Sequence, residues 1–398
     1  MQLAERVKTI SPSPTLGIDA RAKQMKSAGI PVISFGAGEP DFDTPQHIKQ
    51  EGIEAIRRGF TKYTPTPGIP ELKQAICDKL EKDNGLIYEP FEIIVSVGAK
   101  HALYNAFQVL CNPGDEVILL APYWVSYAEQ VRLAGAAPVV VETSAENGFI
   151  PDVEAIAARL TPRSKVLVLN SPNNPTGAVY PRSILERVAE LAVSRDLVVI
   201  SDEIYEKLVY GETEHVSIAV LGPEIRNRTL VVNGVSKTYA MTGWRIGYAA
   251  GDRRLIKAMA DLQSHSTSNP ASMAQMASLA ALTGTQEPVE EMRREFAVRR
   301  DLMVAGLNRI PGVECHLPQG AFYIFARVSS LFGRRAKGGT VIDGSEALAE
   351  YLLTEGHVAV VPGTAFGAQD YIRLSYVTSR EKVEAGLAQI RAAVDQLS

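Results

Sequence analysis

The sequence predicts an α/β protein, with a large domain on a mixed, mostly parallel seven-stranded sheet and a smaller α+β domain. Three observations predict it. Seven short runs rich in β-branched residues recur along the first two thirds of the chain, helical patterns separate several of them, and the texture changes near residue 290. The runs are Glu92–Val97, Glu116–Leu120, Pro138–Glu142, Lys165–Leu169, Leu197–Ser201, Thr229–Asn233 and Ile246–Ala250. Stretches such as Val-Leu-Val-Leu and Val-Val-Ile are apolar at every position, as strands buried on both faces of a parallel sheet require.

Between them, Ala99–Leu110, Val153–Leu160 and Ser183–Arg195 carry apolar stripes at helical spacing, with Pro181 just ahead of the third. Such alternation means helices covering a sheet, and ligands of these sheets sit beyond the carboxyl ends of the strands. After residue 290 a long charged helix (Pro288–Asn308) precedes strand-like pieces at Gly320–Ala326, His357–Val361 and Tyr371–Tyr376, and a last amphipathic helix spans Ser379–Gln396. The first 45 residues show few strong elements. The expected division is an N-terminal arm with part of the small domain over 1–45, a large domain over 46–290, and a small C-terminal domain over 291–398. The chain's 398 residues suit two packed domains better than one core.

Composition narrows the function classes. The chain is 46% apolar and 22% charged, an ordinary soluble balance, and its net charge of −4 gives nucleic acid or an anionic membrane no general attraction. Any anion must be held by a local site. Cys77, Cys111 and Cys315 form no CxxC pair and leave one over, so neither a disulfide framework nor a metal site is expected, and a reducing, cytoplasmic setting fits. Met1–Ser13 has scattered charges and no apolar core, so no secretory signal is expected, and no apolar run approaches the roughly 18 residues of a membrane span.

Five segments carry chemistry. Ser236-Lys237-Thr238 through Arg245 follows a buried run. Burial and nearby cations lower a lysine's pKa and make it nucleophilic toward an aldehyde, and Arg245 offers a fork for a phosphate. Asp202 ends the apolar run Val198–Ser201, where a carboxylate is costly without a cation; a protonated pyridine nitrogen would serve. Alone, an Asp there is more often a helix cap. Tyr205 follows three residues later.

Asn170 through Gly177 freezes a loop with two prolines and a glycine, presenting Asn174. In Ser96-Val97-Gly98-Ala99-Lys100, a glycine joins strand to helix, and the first free amides of that helix, those of Ala99 and Lys100, suit a phosphate. Trp124, after Ala121-Pro122-Tyr123, is one of two tryptophans and could stack on a flat cofactor.

Taken together these segments resemble the class I pyridoxal-phosphate-dependent aminotransferases of fold type I. The resemblance runs from Gly36-Ala37-Gly38-Glu39-Pro40-Asp41-Phe42 to Tyr371-Ile372-Arg373-Leu374-Ser375, with Asn-Pro-Thr-Gly, Asp-Glu-Ile-Tyr and Ser-Lys-Thr-x(6)-Arg between. It implies pyridoxal 5′-phosphate borne on Lys237, which is also the base of the proton shift. It implies Asp202 against the pyridine nitrogen, Tyr205 and Asn174 on the ring oxygen, and Trp124 on the ring face. Gly98, Ala99, Lys100, Ser236 and Arg245 match the phosphate site. Tyr63 resembles the tyrosine that reaches a neighbouring subunit's phosphate, which implies a homodimer with shared sites.

Arg373 resembles the arginine that clamps the substrate α-carboxylate, and Gly38 the glycine where the backbone nears the substrate. The segment Gln263–Pro270 lacks the arginine that the animal branch uses for a distal carboxylate. Lys100 and Thr15 instead match the bacterial branch's lysine and threonine. The implied reaction is ping-pong transfer from L-aspartate to 2-oxoglutarate, giving oxaloacetate and L-glutamate. Ser11 stands where prephenate-using members carry a basic residue, which argues against prephenate. Alanine and aromatic aminotransferases and C–S β-lyases of this fold share the cofactor residues and remain alternatives.

Overall fold

The computed structural model describes residues 1–8, 10–12 and 14–398. Among them the strands run in chain order as β1 (Ile33–Ser34), β2 (Ile93–Ser96), β3 (Glu116–Ala121), β4 (Ala137–Glu142), β5 (Ser164–Asn170), β6 (Val198–Asp202), β7 (Thr229–Gly234), β8 (Gly247–Ala250), β9 (Tyr323–Arg327), β10 (Val358–Ala359), β11 (Val361–Pro362) and β12 (Tyr371–Ser375). Seven of them form one sheet in the order β2-β8-β7-β6-β5-β3-β4. All neighbours pair in parallel except β8, which runs against both β2 and β7.

The uniform hydrophobicity of these strands follows from their two covered faces. Ile118 and Leu120 of β3 pack with Leu167, Leu169 and Val199, while Val117 and Leu119 face Leu103, Phe107 and Val131 on the other side. Each fully buried aliphatic side chain contributes roughly 1.5–3 kcal/mol, so neither face tolerates a polar alternation. The helix Ala99–Leu110 supplies Ala102, Leu103, Ala106 and Phe107 to that second face. Its length as expected from the sequence matches the structure residue for residue.

Beyond the main sheet, β11, β12 and β9 form an antiparallel three-stranded sheet, and β1 pairs in parallel with β10. The N-terminal segment is therefore stitched to the C-terminal third of the chain. Phe296 and Met303 of the long helix Glu287–Leu307 join Phe322, Ile324, Tyr376 and Ile390 in the core beneath these strands.

Three expectations change. The run His357–Val361 is two short strands in different sheets, because Val358–Ala359 pairs with β1 and Val361–Pro362 with β12. Strand β9 starts at Tyr323, not Gly320. Gly320 instead donates its amide to the Gly177 carbonyl at 2.8 Å, in a position where a Cβ would lie 2.6 Å from Pro172. The N-terminal region, expected to hold few strong elements, contains a 14-residue helix, Pro14–Ser27. Only Ala22 of that helix is fully buried, so it has no apolar stripe to read.

Candidate active site

The site lies where the main sheet's topology predicts. Strands β5, β6 and β7 end at Asn170, Asp202 and Gly234, and the loops that follow carry Asn174, Tyr205, Ser236 and Lys237. Strand β8 runs the other way, so its beginning lies at this same edge, and Arg245 precedes it by two residues. A cavity of about 740 Å³ opens there. It is lined by Thr15, Gly38, Ala99, Lys100, Trp124, Asn174, Asp202, Tyr205, Ser236, Lys237, Arg245 and Arg373. Two candidates lie off its wall. Gly98 sits against the Arg245 guanidinium, and Tyr63 is 91% exposed and outside the cavity lining.

Lys237 donates from Nζ to the Gly38 carbonyl oxygen at 2.6 Å. Burial pushes its amine down to about 8; Arg245 and Arg373 push the same way, while Glu39 and Asp202 oppose them. Near physiological pH such an amine is still mostly charged, but its neutral fraction, the form that attacks carbonyls and takes protons, is far larger than an ordinary lysine's.

Asp202 is 3% exposed, and burial raises its carboxyl to about 6 although two hydrogen bonds pull the other way. Its Oδ2 accepts from the Tyr127 hydroxyl at 2.6 Å and its Oδ1 from the Ile204 amide at 3.3 Å. No lysine or arginine pairs with it among the described residues. A buried carboxylate with two neutral donors is a site for a cation, and a protonated ring nitrogen answers that need.

Asn170 braces both neighbours. Its Nδ2 donates to the Asp202 carbonyl at 3.0 Å, and its Oδ1 accepts from the Asn174 amide at 2.9 Å. Asn174 in turn accepts from Arg373 Nη1 at 3.1 Å. Arg373, 2% exposed on β12, also donates Nη2 to the Gly36 carbonyl at 2.9 Å and lies 4.4 Å over the Tyr323 ring. Its Nε is buried with no partner among the described residues. An arginine held this way, with a donor unanswered, is prepared for an anion.

The anion end is built from backbone. Gly98 has φ +83°, and a Cβ on it would lie 2.4 Å from Arg245 Nη2, so only glycine lets the guanidinium rest there. Arg245 Nη1 donates to the Thr242 carbonyl at 2.8 Å. The His101 and Ala102 amides bond the Gly98 carbonyl, which leaves those of Ala99 and Lys100, at the start of the helix Ala99–Leu110 beside that guanidinium, suited to an anion such as phosphate. An aldehyde-reactive amine, a carboxylate seeking a ring cation and an anion nest together fit pyridoxal 5′-phosphate. Lys100 adds a cation 4.8 Å over the Trp124 ring; burial first, then Arg245, lowers its pKa.

Sequence reasoning missed Tyr127, Tyr323 and Glu39, all on the cavity wall. Tyr323 Oη shares a hydrogen bond of 3.0 Å with Tyr205 Oη, and Thr242 donates to Glu39 at 2.7 Å. Tyr127 was within reach, since it follows Trp124 by three residues on a helical start. Tyr323 had no signal: it reads as one more aromatic in a strand. Outside the cavity, ligand atoms of Glu203, Glu206 and His215 lie within 4.8 Å of one another. Lys79, Ser201 and Ser217 already answer those carboxylates.

Fold and site together define a transferase. Residues 30–390 match the aminotransferase class I and II family, and the chain belongs to it. It is an aminotransferase. Among similar proteins, the aspartate aminotransferase of Geobacillus stearothermophilus is 51% identical over 393 residues, 98% of each chain. That of Bacillus subtilis (strain 168) is 47% identical over 398 residues, the full length of both. The crystal structure of the Rhizobium meliloti aspartate aminotransferase superposes with a TM-score of 0.97 at 47% identity, covering all of both chains. The Thermus thermophilus aspartate aminotransferase solved with maleate gives 0.93 at 47% identity, over 99% of this chain and all of that one. No helix among the described residues is long and apolar enough to cross a membrane.

Proposed function

We propose that this aminotransferase moves the amino group of L-aspartate to 2-oxoglutarate by a ping-pong route, using pyridoxal 5′-phosphate held on Lys237. One observation carries the reading: the Lys237 amine, the Asp202 carboxylate, Arg245 with Ala99 and Lys100, and Arg373 all line one cavity. When bound, the cofactor supplies an aldehyde for amines and a ring that withdraws electron density from the substrate Cα.

The chain's residues do the rest. Asp202 counters the ring nitrogen's charge, Asn174 and Tyr205 hold the ring oxygen, and Trp124 covers one ring face. Ala99, Lys100, Ser236 and Arg245 bind the phosphate. Arg373 takes the substrate α-carboxylate in a fork that a lysine could not reproduce. Lys237 Nζ, freed when the substrate amine replaces it on the cofactor, would take the proton from the substrate Cα and deliver it to the carbon that carried the aldehyde. Lys100 and Thr15 receive the distal carboxylate, with Gly38 at the substrate's edge.

A four-carbon dicarboxylate is favoured by the names of the relatives and by maleate in the Thermus thermophilus structure. Ser11 brings no charge to the arm, so we rank prephenate below aspartate, although relatives from Rickettsia are described as probable aspartate/prephenate aminotransferases. The reading also takes residues 46–290 as the cofactor-holding domain, and 291–398 with part of 1–45 as a smaller one. The outward exposure of Tyr63 supports a homodimer in which it serves the neighbour's phosphate. Three free cysteines suit a reducing cytoplasm.

The test is to follow the absorbance of the cofactor-loaded protein on adding aspartate, then to assay transfer to 2-oxoglutarate. A spectral change with glutamate formation supports the reading. Release of ammonia and pyruvate without transfer refutes it in favour of a lyase, and a response only to other amino acids removes aspartate.

A further inference from the structure

We propose that Tyr127 is a positioning residue whose hydroxyl, bonded to Asp202, keeps the shared proton on the cofactor's ring nitrogen rather than on the carboxylate. The inference rests on the reading above, in which Asp202 faces that nitrogen.

Tyr127 lies in the first turn of the helix Ser126–Leu133 and is 1% exposed. Its hydroxyl donates to Asp202 Oδ2 at 2.6 Å, short for a neutral donor and typical of one facing a charge. The ring is fixed independently of that bond. It meets the Trp124 ring edge-on, centroids 5.3 Å apart and planes at 85°, and the Tyr127 amide bonds the Trp124 carbonyl at 3.1 Å. The same ring closes a narrow crevice against Leu119, Leu120 and Val168. One side chain thus touches both the ring-face residue and the ring-nitrogen residue.

A proton shared between a pyridine nitrogen and a carboxylate settles on the stronger base. Burial alone drives the carboxylate toward the stronger-base side by penalising its charge. Hydrogen bonds to the ionised form pull it back. Asp202 has two such donors, and the 3.3 Å bond from the Ile204 amide is the longer. Tyr127 is a dependable donor, because burial first and Asp202 next push its own pKa far above the ordinary range. Without that hydroxyl the proton shifts from nitrogen to oxygen. The ring then carries no positive charge and withdraws electrons less.

The experiment uses holoenzyme loaded with cofactor ¹⁵N-labelled at the ring nitrogen, whose NMR shift reports protonation without turnover. Tyr127→Phe keeps the ring against Trp124. We expect its resonance to move from the protonated toward the unprotonated position, with cofactor released roughly tenfold faster, as loss of one bond to a charged group implies. A more acidic, fluorinated tyrosine at 127 keeps the shape and donates more strongly, so in a pH titration the ring nitrogen should keep its proton to higher pH than in the unaltered enzyme; this variant decides the matter if Tyr127→Phe folds poorly. A resonance that responds to Asp202→Asn but not to either Tyr127 change overturns the role of Tyr127 alone. One that ignores Asp202→Asn as well overturns the pairing of Asp202 with the ring, and this inference with it.

Discussion

Lys237 Nζ and the carbonyl oxygen of Gly38 stand 2.6 Å apart, joining a loop of the main sheet to the N-terminal segment. The bond holds the amine in the wall of the cavity while burial lowers its pKa to about 8 from the ordinary 10.5. The neutral amine attacks aldehydes, so its reactive fraction rises with pH and saturates above about 8. Cofactor-stripped protein should therefore recapture pyridoxal phosphate much faster as pH climbs from 6.5 to about 8, where half the amine is neutral, and gain no more than about twofold beyond. Stopped-flow absorbance measures this; a rate still climbing through pH 10 would mean an ordinary exposed lysine.

Lys237→Ala should keep the cofactor but lose turnover. On the proposed roles, Asp202, Arg245 and the helix amides would still hold the ring and phosphate, whereas the Cα proton would have no acceptor. Positioned proton transfer alone contributes typically about 10²–10⁴-fold. Glutamate formation in the purified variant should fall by at least that factor, and near-normal transfer would contradict the role.

Gly98→Ala should weaken cofactor binding without unfolding the chain. A Cβ there would lie 2.4 Å from Arg245 Nη2, and the backbone has φ +83°. The strain costs of order 1–3 kcal/mol, and displacement of Arg245 opens the phosphate nest. Gly59→Ala is the control, since Gly59 has φ +74° but nothing within 4 Å of a Cβ. Fluorescence titration should show about tenfold weaker cofactor binding for the first and an unchanged Kd for the second.

Lys100→Ala and Arg373→Lys should separate the two ends of the substrate. Loss of the Lys100 ammonium removes a charge-assisted contact worth about 1.5–3 kcal/mol, so aspartate KM should rise roughly 10–100-fold while alanine KM hardly changes. Loss of the Arg373 fork should reduce kcat/KM for aspartate and alanine alike. Equal changes for both donors in Lys100→Ala would take Lys100 out of specificity.

Lys79 and Glu206 form a buried ion pair outside the cavity lining, their side chains 8% and 5% exposed. Asn84 bridges them, accepting from Lys79 at 2.7 Å and donating to Glu206 at 2.8 Å. Burial opposes the Glu206 charge, yet Lys79, His215 and Asn84 together hold its carboxyl at about 2, below the ordinary 4.5. Its stabilising contribution is therefore present above pH 4.5 and is lost as pH falls toward about 2. Lys79→Met should destabilise by about 3–5 kcal/mol in urea titrations, because the carboxylate is stranded. Lys79→Met with Glu206→Gln should recover part of that loss.

The parts legible in the sequence share one property: they are local. Asn174, Asp202 and Lys237 each follow a run of buried β-branched residues within a few positions, and ligands of parallel sheets gather at those ends. The helix Pro14–Ser27 was missed because a helix that buries only Ala22 has no periodic stripe. The split of His357–Val361 was missed because pairing partners as distant as Ile33 and Arg373 decide it.

By itself the sequence determined the sheet's strands and set Asn174, Asp202 and Lys237 at or just beyond their ends, since strand propensity and backbone conformation are properties of neighbouring residues. Only the tertiary structure decided that the Tyr127 hydroxyl reaches Asp202, that Arg373 bonds Asn174 and Gly36, and that β1 closes on β10. These contacts join residues 75 to 337 positions apart, and no local pattern encodes which distant groups a packed interior brings within hydrogen-bonding reach.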